Sequence, residues 1–598
     1  MGHLDISSGI SRRAALMGGG AAGLAVLWGS TALAAAGRQA VLVGPGDAAW
    51  PDVAAWDGLA REVGGALMKV ASPWRSAAAD PSGAATVRLF EELRNPYYIG
   101  DDPALTQTLG WTDAWTSRTS EYAVKARSAA DVAAALRFAR KHRVRLVVRG
   151  GAHSYMGNSN APDSLMVWTK AMDAVEMHEG FVPHGSPPGT VPVPAVSVGA
   201  GATWGRVYDA VTTRGGRYVQ GGGCMTVGVA GLVQGGGFGS FSKRYGTAAG
   251  SLIEAEVVTA DGEIRVVNRY SDPELFWALK GGGGGTFGIV TRLTLLTHDL
   301  PENFGLVAVR IDAMSDEAFR RLVARFVDSY RDAFLNEHWG EQVTFGPRSR
   351  VTINMVFQGL TQAQAQAAWD PFLEQVRRDP DLSISGLQVA AFSARHFWDP
   401  AFLSSLPGVV AHDDRPGAEP GNLFWAQNRD EAGQVLHGYH SAWLPAALLE
   451  PTRRGDLVDA LVAHSREWST TLHFNKGLAG AEPSALARSA DTATNPAVLD
   501  AFALLITAGE EAPAYPGIAG HEPDLAEGRS EAIAMRTAFQ HAARLLPVTA
   551  SYVSESDYFE PHWQIAHWGR NYSRLLASKR RYDPQDVFQV HHGVGGRA

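Results

Sequence analysis

Three glycine-dense loops constrain this chain most, because each adjoins an apolar, strand-like run and carries little side-chain bulk. The first is Arg149-Gly-Gly-Ala-His-Ser154, which follows the strand-like Arg145-Leu-Val-Val148. The second runs Gly221-Gly-Gly-Cys-Met-Thr-Val-Gly-Val-Ala-Gly231 and continues through Gln234-Gly-Gly-Gly-Phe-Gly239. The third, Lys280-Gly-Gly-Gly-Gly-Gly-Thr-Phe-Gly-Ile-Val290, leads into an apolar strand. Glycine lets main-chain N–H groups approach a ligand where a Cβ would obstruct. Many of the chain's 66 glycines fall between positions 150 and 288, so backbone held against a ligand is the reading; tight turns are the plain alternative. Cys224, the single cysteine, lies inside the second loop and excludes an intrachain disulfide. A lone cysteine is commonly a small buried hydrophobe, but glycine neighbours leave this one sterically open.

At 598 residues the chain exceeds one ordinary domain. With 45% hydrophobic and 19% charged residues it reads as globular. A net charge of −8 gives no electrostatic reason to expect nucleic acid. Ser11-Arg12-Arg13, an apolar stretch from Met17 to Leu33 and the small residues Ala34-Ala-Ala36 have the layout of a twin-arginine export signal. The expectation is export to the periplasm or medium without stable membrane insertion. Residues 37–113, rich in turns and tryptophan, read as an extension wrapping the body. Ser128 caps a helix in which Val132, Leu136 and Ala139 recur at helical spacing. The runs 195–198, 252–258 and 263–267 read as strands, the last two joined by a hairpin at Asp261-Gly262. Residues 302–540 alternate strand-like and helical stretches and read as a substrate domain. The aromatic, His-rich tail 541–598 reads as a return to the site.

A glycine loop after a strand offers unpaired donors to a pyrophosphate, and Ser154 adds a hydroxyl. Thr226 and neighbouring N–H groups suit a polar ligand edge, while residues 235–239 relieve crowding beside a bulky ring. Ser240-Phe-Ser-Lys243 fits a Ser-x-x-Lys nucleophile but lacks the Lys-Thr-Gly and Ser-Asp-Asn partners; a hydrolase is the remote alternative. His562 and His567 are five apart, His-Glu-x-x-His is absent, and His591 and His592 would point to opposite sides of a strand. No metal is expected.

Together the loops resemble the berberine-bridge-enzyme-like branch of the vanillyl-alcohol-oxidase flavoproteins. The resemblance is dense over residues 116–301 and returns at Asn571-Tyr-Ser-Arg-Leu575 and Tyr582-Asp-Pro584. It implies an α+β fold: a PCMH-type FAD-binding domain over 114–301 and a substrate domain with an antiparallel sheet covered by helices. It implies FAD held by Arg149, Gly150, Gly151, Ala152, His153 and Ser154 on the first loop. From the second it adds Gly223, Cys224, Thr226, Val227, Gly228, Gly231, Gly236, Gly237 and Gly239, with Val290 and Asn571 beyond. His153 matches the attachment to the flavin 8α-carbon and Cys224 the attachment to C6, a bicovalent tether. A thiolate is the nucleophile such a tether needs, so a neighbour lowering the pKa of Cys224 is expected. Ala152 replaces a glycine frequent in the family, and Thr247-Ala-Ala-Gly-Ser251 lacks its Asp-Asn. Val227 matches a position often valine in oxygen-reactive relatives.

Flavin oxidation of an alcohol needs a hydride acceptor and a base for the hydroxyl proton. Many relatives use a tyrosine in Tyr-x-Asn-Tyr-x-Asp; here the stretch is Tyr552-Val-Ser-Glu-Ser-Asp557, with Glu555 in that tyrosine's place. Glu555 and Tyr552 are the leading candidates, then Tyr572 and His592. The expected activity is FAD-dependent oxidation of an alcohol or carbohydrate-like small molecule, with oxygen as acceptor and peroxide as product. The alternative is a dehydrogenase or oxidative cyclase of an aromatic natural product.

Overall fold

The computed structural model describes residues 42–596, so the signal-like segment lies outside the described residues. The described residues form one compact unit.

The helix Ala129–His142 forms where the spacing predicts it: Ser128 accepts from the Asp131 N–H, and Val132, Leu136 and Ala139 are buried. Arg143, at φ 56°, turns the chain out of the helix into the strand Arg145–Arg149. That strand pairs in parallel with Ser164–Trp168, which pairs in parallel with Tyr122–Lys125; Leu67–Lys69 closes the sheet antiparallel. The helix packs on this sheet through a shared apolar core.

A second, antiparallel sheet runs Ile264–Asn268, Leu252–Val258, Ile289–Asp299, Val193–Gly199 and Val175–Phe181, with Arg217–Val219 also on Ile289–Asp299. Asp261-Gly262 forms the expected hairpin, with Gly262 at φ 87°.

The third sheet has nine strands: Leu382–Ser393, Asn303–Ala313, Arg350–Gln358, Trp339–Gly346, Thr470–His473, Ala501–Glu511, Gln434–Pro445, Thr108–Trp111 and Trp115–Thr116. All pairs are antiparallel except Gln434–Pro445 with Thr108–Trp111. Helices such as Asp316–Ser329, Gln362–Arg378 and Arg454–Glu467 cover one face through a common core. Phe319, Leu322, Val323, Phe326 and Val327 line the buried stripe of the first of these, an amphipathic spacing. The molecule is thus α+β, with a mixed-sheet half that carries the glycine loops and a helix-covered antiparallel sheet.

The segment 37–113, read from sequence as a wrapping extension, contributes strands to the first and third sheets. The reason is burial: all four residues of Thr108–Trp111 are enclosed, so their backbone groups need ladder partners.

Candidate active site

A cavity of about 1110 Å³ lies where the glycine loops face the open side of the nine-stranded sheet. Strand Arg145–Arg149 delivers Gly150, Gly151, Ala152, His153 and Ser154 to its wall, and Gly223, Cys224, Val227, Gly228, Gly231 and Val290 complete that side. The first two loops touch back to back: a Cβ on Gly151 would fall 2.5 Å from the Gly228 nitrogen and 3.0 Å from the Thr226 oxygen. This contact brings His153 and Cys224, 71 positions apart in sequence, into one cavity. Ala152 adopts φ 63° despite its methyl, a strained conformation in the position where glycine is the commoner choice.

Burial pushes the His153 imidazole down to about 4, with the Thr226 backbone opposing it; the ring Nε2 lies 3.2 Å from the Thr226 hydroxyl. The ring is therefore neutral at physiological pH and keeps a lone pair for bonding. Cys224 departs from expectation. Burial first, then Glu431, pushes its thiol up to about 12, and Lys476 opposes them. The expected lowering does not result: among the groups around this thiol Lys476 favours the thiolate, but burial and Glu431 outweigh it. Trp425 donates to the Gly223 carbonyl (2.8 Å), and the Asn428 amide lies 3.7 Å from the sulfur. The short hairpin Val410–His412 with Leu423–Trp425 thereby braces the thiol loop.

Several residues expected at the cofactor do other work. The fully buried Arg149 side chain donates to the Pro103 and Ile99 carbonyls at 2.9 and 2.8 Å. It points away because strand side chains alternate. Thr226 stands behind the cavity and supports His153. Gly236 and Gly237, at φ 110° and 70°, and Gly239 leave space for Thr494, Leu232 and the Gly221 carbonyl rather than for a ring. Asn571 donates towards the Thr492, Ala493 and Thr494 carbonyls, a stitch between segments. Ser154 lines the cavity, but its hydroxyl accepts from the Asn158 N–H at 3.2 Å.

Glu555 and Tyr552 both line the cavity. Lys476 grips both Glu555 carboxylate oxygens, at 2.7 and 2.5 Å. The Ser441 hydroxyl donates to the Glu555 carbonyl and fixes the loop. Tyr552 accepts from the Gly237 N–H at 3.3 Å, and burial, then Glu555, raises its phenol far above the ordinary value. Tyr572 accepts from the Gly595 N–H and does not reach the cavity. His592 does line it, stacked on Trp563 and on His591 at 5.4 and 3.9 Å. The two histidines share a stack because this segment is a turn, with His592 at φ 52°, rather than a strand.

The Ser240/Lys243 nucleophile is not assembled. Lys243 donates to the Gly477, Ala479 and Phe502 carbonyls at 2.6, 3.0 and 3.2 Å, and Ser240 donates to Glu341. Glu341, Glu431 and Lys476 line the cavity and were missed from sequence. The local cue was a polar Asn475-Lys476 pair one residue past the strand Thr470–His473.

The residues fit a flavin. Two abutting glycine backbones form a wall without Cβ atoms, and a neutral imidazole and a thiol stand beside it, the donor set a covalently tethered ring requires.

A family model described as "FAD binding domain" matches residues 120–268, and one described as "Berberine and berberine like" matches residues 551–595. The FAD-linked oxidoreductase easE of Arthroderma benhamiae is 30% identical, across 79% of this chain and 89% of that protein. The VAO-type flavoprotein MtVAO615 of Myceliophthora thermophila C1 has a similar structure, with TM-score 0.74 and 24% identity over 93% of this chain and 97% of that one. The glucooligosaccharide oxidase of Acremonium strictum, described as having a 6-S-cysteinyl, 8α-N1-histidyl FAD, gives 0.60 and 20% over 80% of this chain and 92% of that one.

Proposed function

We propose that this chain, which belongs to the berberine-bridge-enzyme-like FAD-linked oxidoreductases of the vanillyl-alcohol-oxidase superfamily, oxidises a small alcohol or carbohydrate-like molecule with oxygen as acceptor. The observation that carries the reading is the Lys476–Glu555 pair, a carboxylate held by both oxygens on the wall of the cavity that His153 and Cys224 also line. Bound FAD would supply the two-electron acceptor and pass the electrons on to oxygen as peroxide. Glu555 takes the hydroxyl proton of the substrate, and Lys476, bonded to both oxygens, holds the carboxylate in orientation until then. Tyr552, whose phenol stays protonated, positions Gly237 and the base loop.

In this reading His153 and Cys224 both hold the flavin. His153 needs no deprotonation, whereas Cys224 must lose a proton against burial and Glu431, with Lys476 assisting. The aromatic wall that includes Phe392, Phe397, Trp398 and Trp425 favours a second reading, dehydrogenation or cyclisation of an aromatic molecule. Anaerobic bleaching of the flavin by candidate alcohols, followed by readmission of air with peroxide detection, separates the two. Slow recovery of colour in air would reject the oxidase. No helix among the described residues is long and apolar enough to cross a membrane. Export by the twin-arginine route is part of the proposal and rests on Arg12-Arg13; their replacement by Lys-Lys should keep the protein in the cytoplasm.

A further inference from the structure

The cavity holds a second carboxyl that proton removal by Glu555 leaves unused. Glu341 lies in strand Trp339–Gly346, whose register pairs Trp339 with Phe357, Glu341 with Met355 and Val343 with Ile353. The five apolar members of those pairs belong to the core beneath the helices, so alternation would aim Glu341 into that core. Instead its backbone takes φ 65°, uncommon and strained for a residue with a side chain. Its carboxylate reaches Ser240, which donates to Oε1, and Asn475, whose amide is 3.5 Å from the same oxygen. The preceding residue has to be glycine, because a Cβ on Gly340 would collide with the Ser240 carbonyl. Strand and loop are therefore pressed together, at the expense of regular geometry, to present a carboxyl on the cavity wall.

Oε1 carries both contacts; Oε2 takes no hydrogen bond among the described residues. Burial raises the carboxyl above the ordinary range, while the Ser240 bond and Lys476 work the other way. A carboxyl with one oxygen anchored and the other free is shaped to read a donor on a ligand.

We propose that Glu341 is a substrate-positioning residue, its free Oε2 holding a second donor of the substrate, a hydroxyl or amine, while Glu555 takes the proton of the carbinol being oxidised. The substrate is then a molecule with two separated donors rather than a simple mono-alcohol. This rests on the alcohol-oxidase reading above.

Two probes with the same ring and carbinol isolate the second donor: 1,4-benzenedimethanol and 4-methylbenzyl alcohol. With FAD-loaded protein under anaerobic conditions, the half-saturation concentration for flavin bleaching should be at least about tenfold lower for the diol, since a hydrogen bond to a charged group is worth that much. Glu341→Leu should abolish the preference, whereas Glu341→Gln, isosteric and still an acceptor but uncharged, should keep a reduced preference of about threefold. Spectral titration of the flavin in Glu555→Gln protein should show the same separation in Kd without turnover. Equal half-saturation for the two probes in the wild type, or an unchanged preference in Glu341→Leu, overturns the role of Glu341 while the oxidase reading stands. If Glu341→Leu fails to load FAD, loss of the preference in Glu341→Gln to the same extent as loss of affinity for the mono-alcohol would equally overturn it. If neither probe bleaches or perturbs the flavin, the role of Glu341 falls, whereas the oxidase reading falls only if the candidate alcohols and carbohydrates of the bleaching assay fail as well.

Discussion

Replacing Glu555 by Gln removes one negative charge and the proposed proton acceptor while keeping the shape of the side chain. Loss of a positioned general base lowers rate by about 10²–10⁴-fold, equivalent to about 3–5 kcal/mol at roughly 1.4 kcal/mol per tenfold. The same change touches stability, because Lys476 and Glu555 are only 12% and 20% exposed. Stripping a buried ammonium of its partner costs about 3–5 kcal/mol. Here the amide oxygen can still accept one Lys476 hydrogen bond, and Glu341 and Glu431 share the cavity, so about 1–2 kcal/mol is expected. The rate of flavin bleaching under anaerobic stopped flow should therefore collapse in Glu555→Gln while FAD content stays near wild type and the melting temperature falls modestly. Tyr552→Phe is the control and should slow bleaching less than tenfold. A Glu555→Gln rate within threefold of wild type across the pH range would refute the assignment of Glu555 as base.

Intact mass after denaturation should show FAD retained by wild type, by Cys224→Ala and by His153→Ala, and lost only when both residues are replaced. Lys243→Met should destabilise by about 3 kcal/mol or more in denaturant titration, because three buried carbonyls lose their donor. Acid should unfold the protein through its buried histidines. Burial pushes His464 and His567 down to about 3, so between that value and the ordinary value near 6.5 the unfolded chain binds more protons than the folded one. Stability is full above about pH 6.5 and declines as pH falls; His464→Gln should flatten the slope of melting temperature against pH in that window.

What the sequence disclosed and what it withheld divide along chain distance. That the glycine loops bring His153 and Cys224 to one cavity was legible because short-range chemistry marks them: an imidazole two residues past a Gly-Gly pair and a thiol directly after a Gly-Gly-Gly run. The cap at Ser128 and the hairpin at Asp261-Gly262 were legible for the same local reason. Lys476 and Glu341 were not, since they meet Glu555 and Ser240 only through the strand order of the nine-stranded sheet. Glu341 is doubly hidden: period-two reasoning places it in the apolar core, and one left-handed backbone angle reverses that. Arg149 shows the opposite error, in which a side chain next to a binding loop shares its neighbourhood but faces the other way.

The Lys243 ammonium has a consequence for building hybrids. It leaves the short helix Ser242–Tyr245 just past the second glycine loop and ends on two loop carbonyls that follow Lys476, those of Gly477 and Ala479, and on the Phe502 carbonyl of strand Ala501–Glu511. A chimera that borrows its substrate-recognising sheet from another relative must bring that carbonyl trio at the same spacing. Otherwise the donor half arrives with a charged amine sealed in apolar surroundings and no acceptor. Swaps whose junctions keep residues 240–245 and 474–502 from the same parent should assemble, and those that cut between them should not.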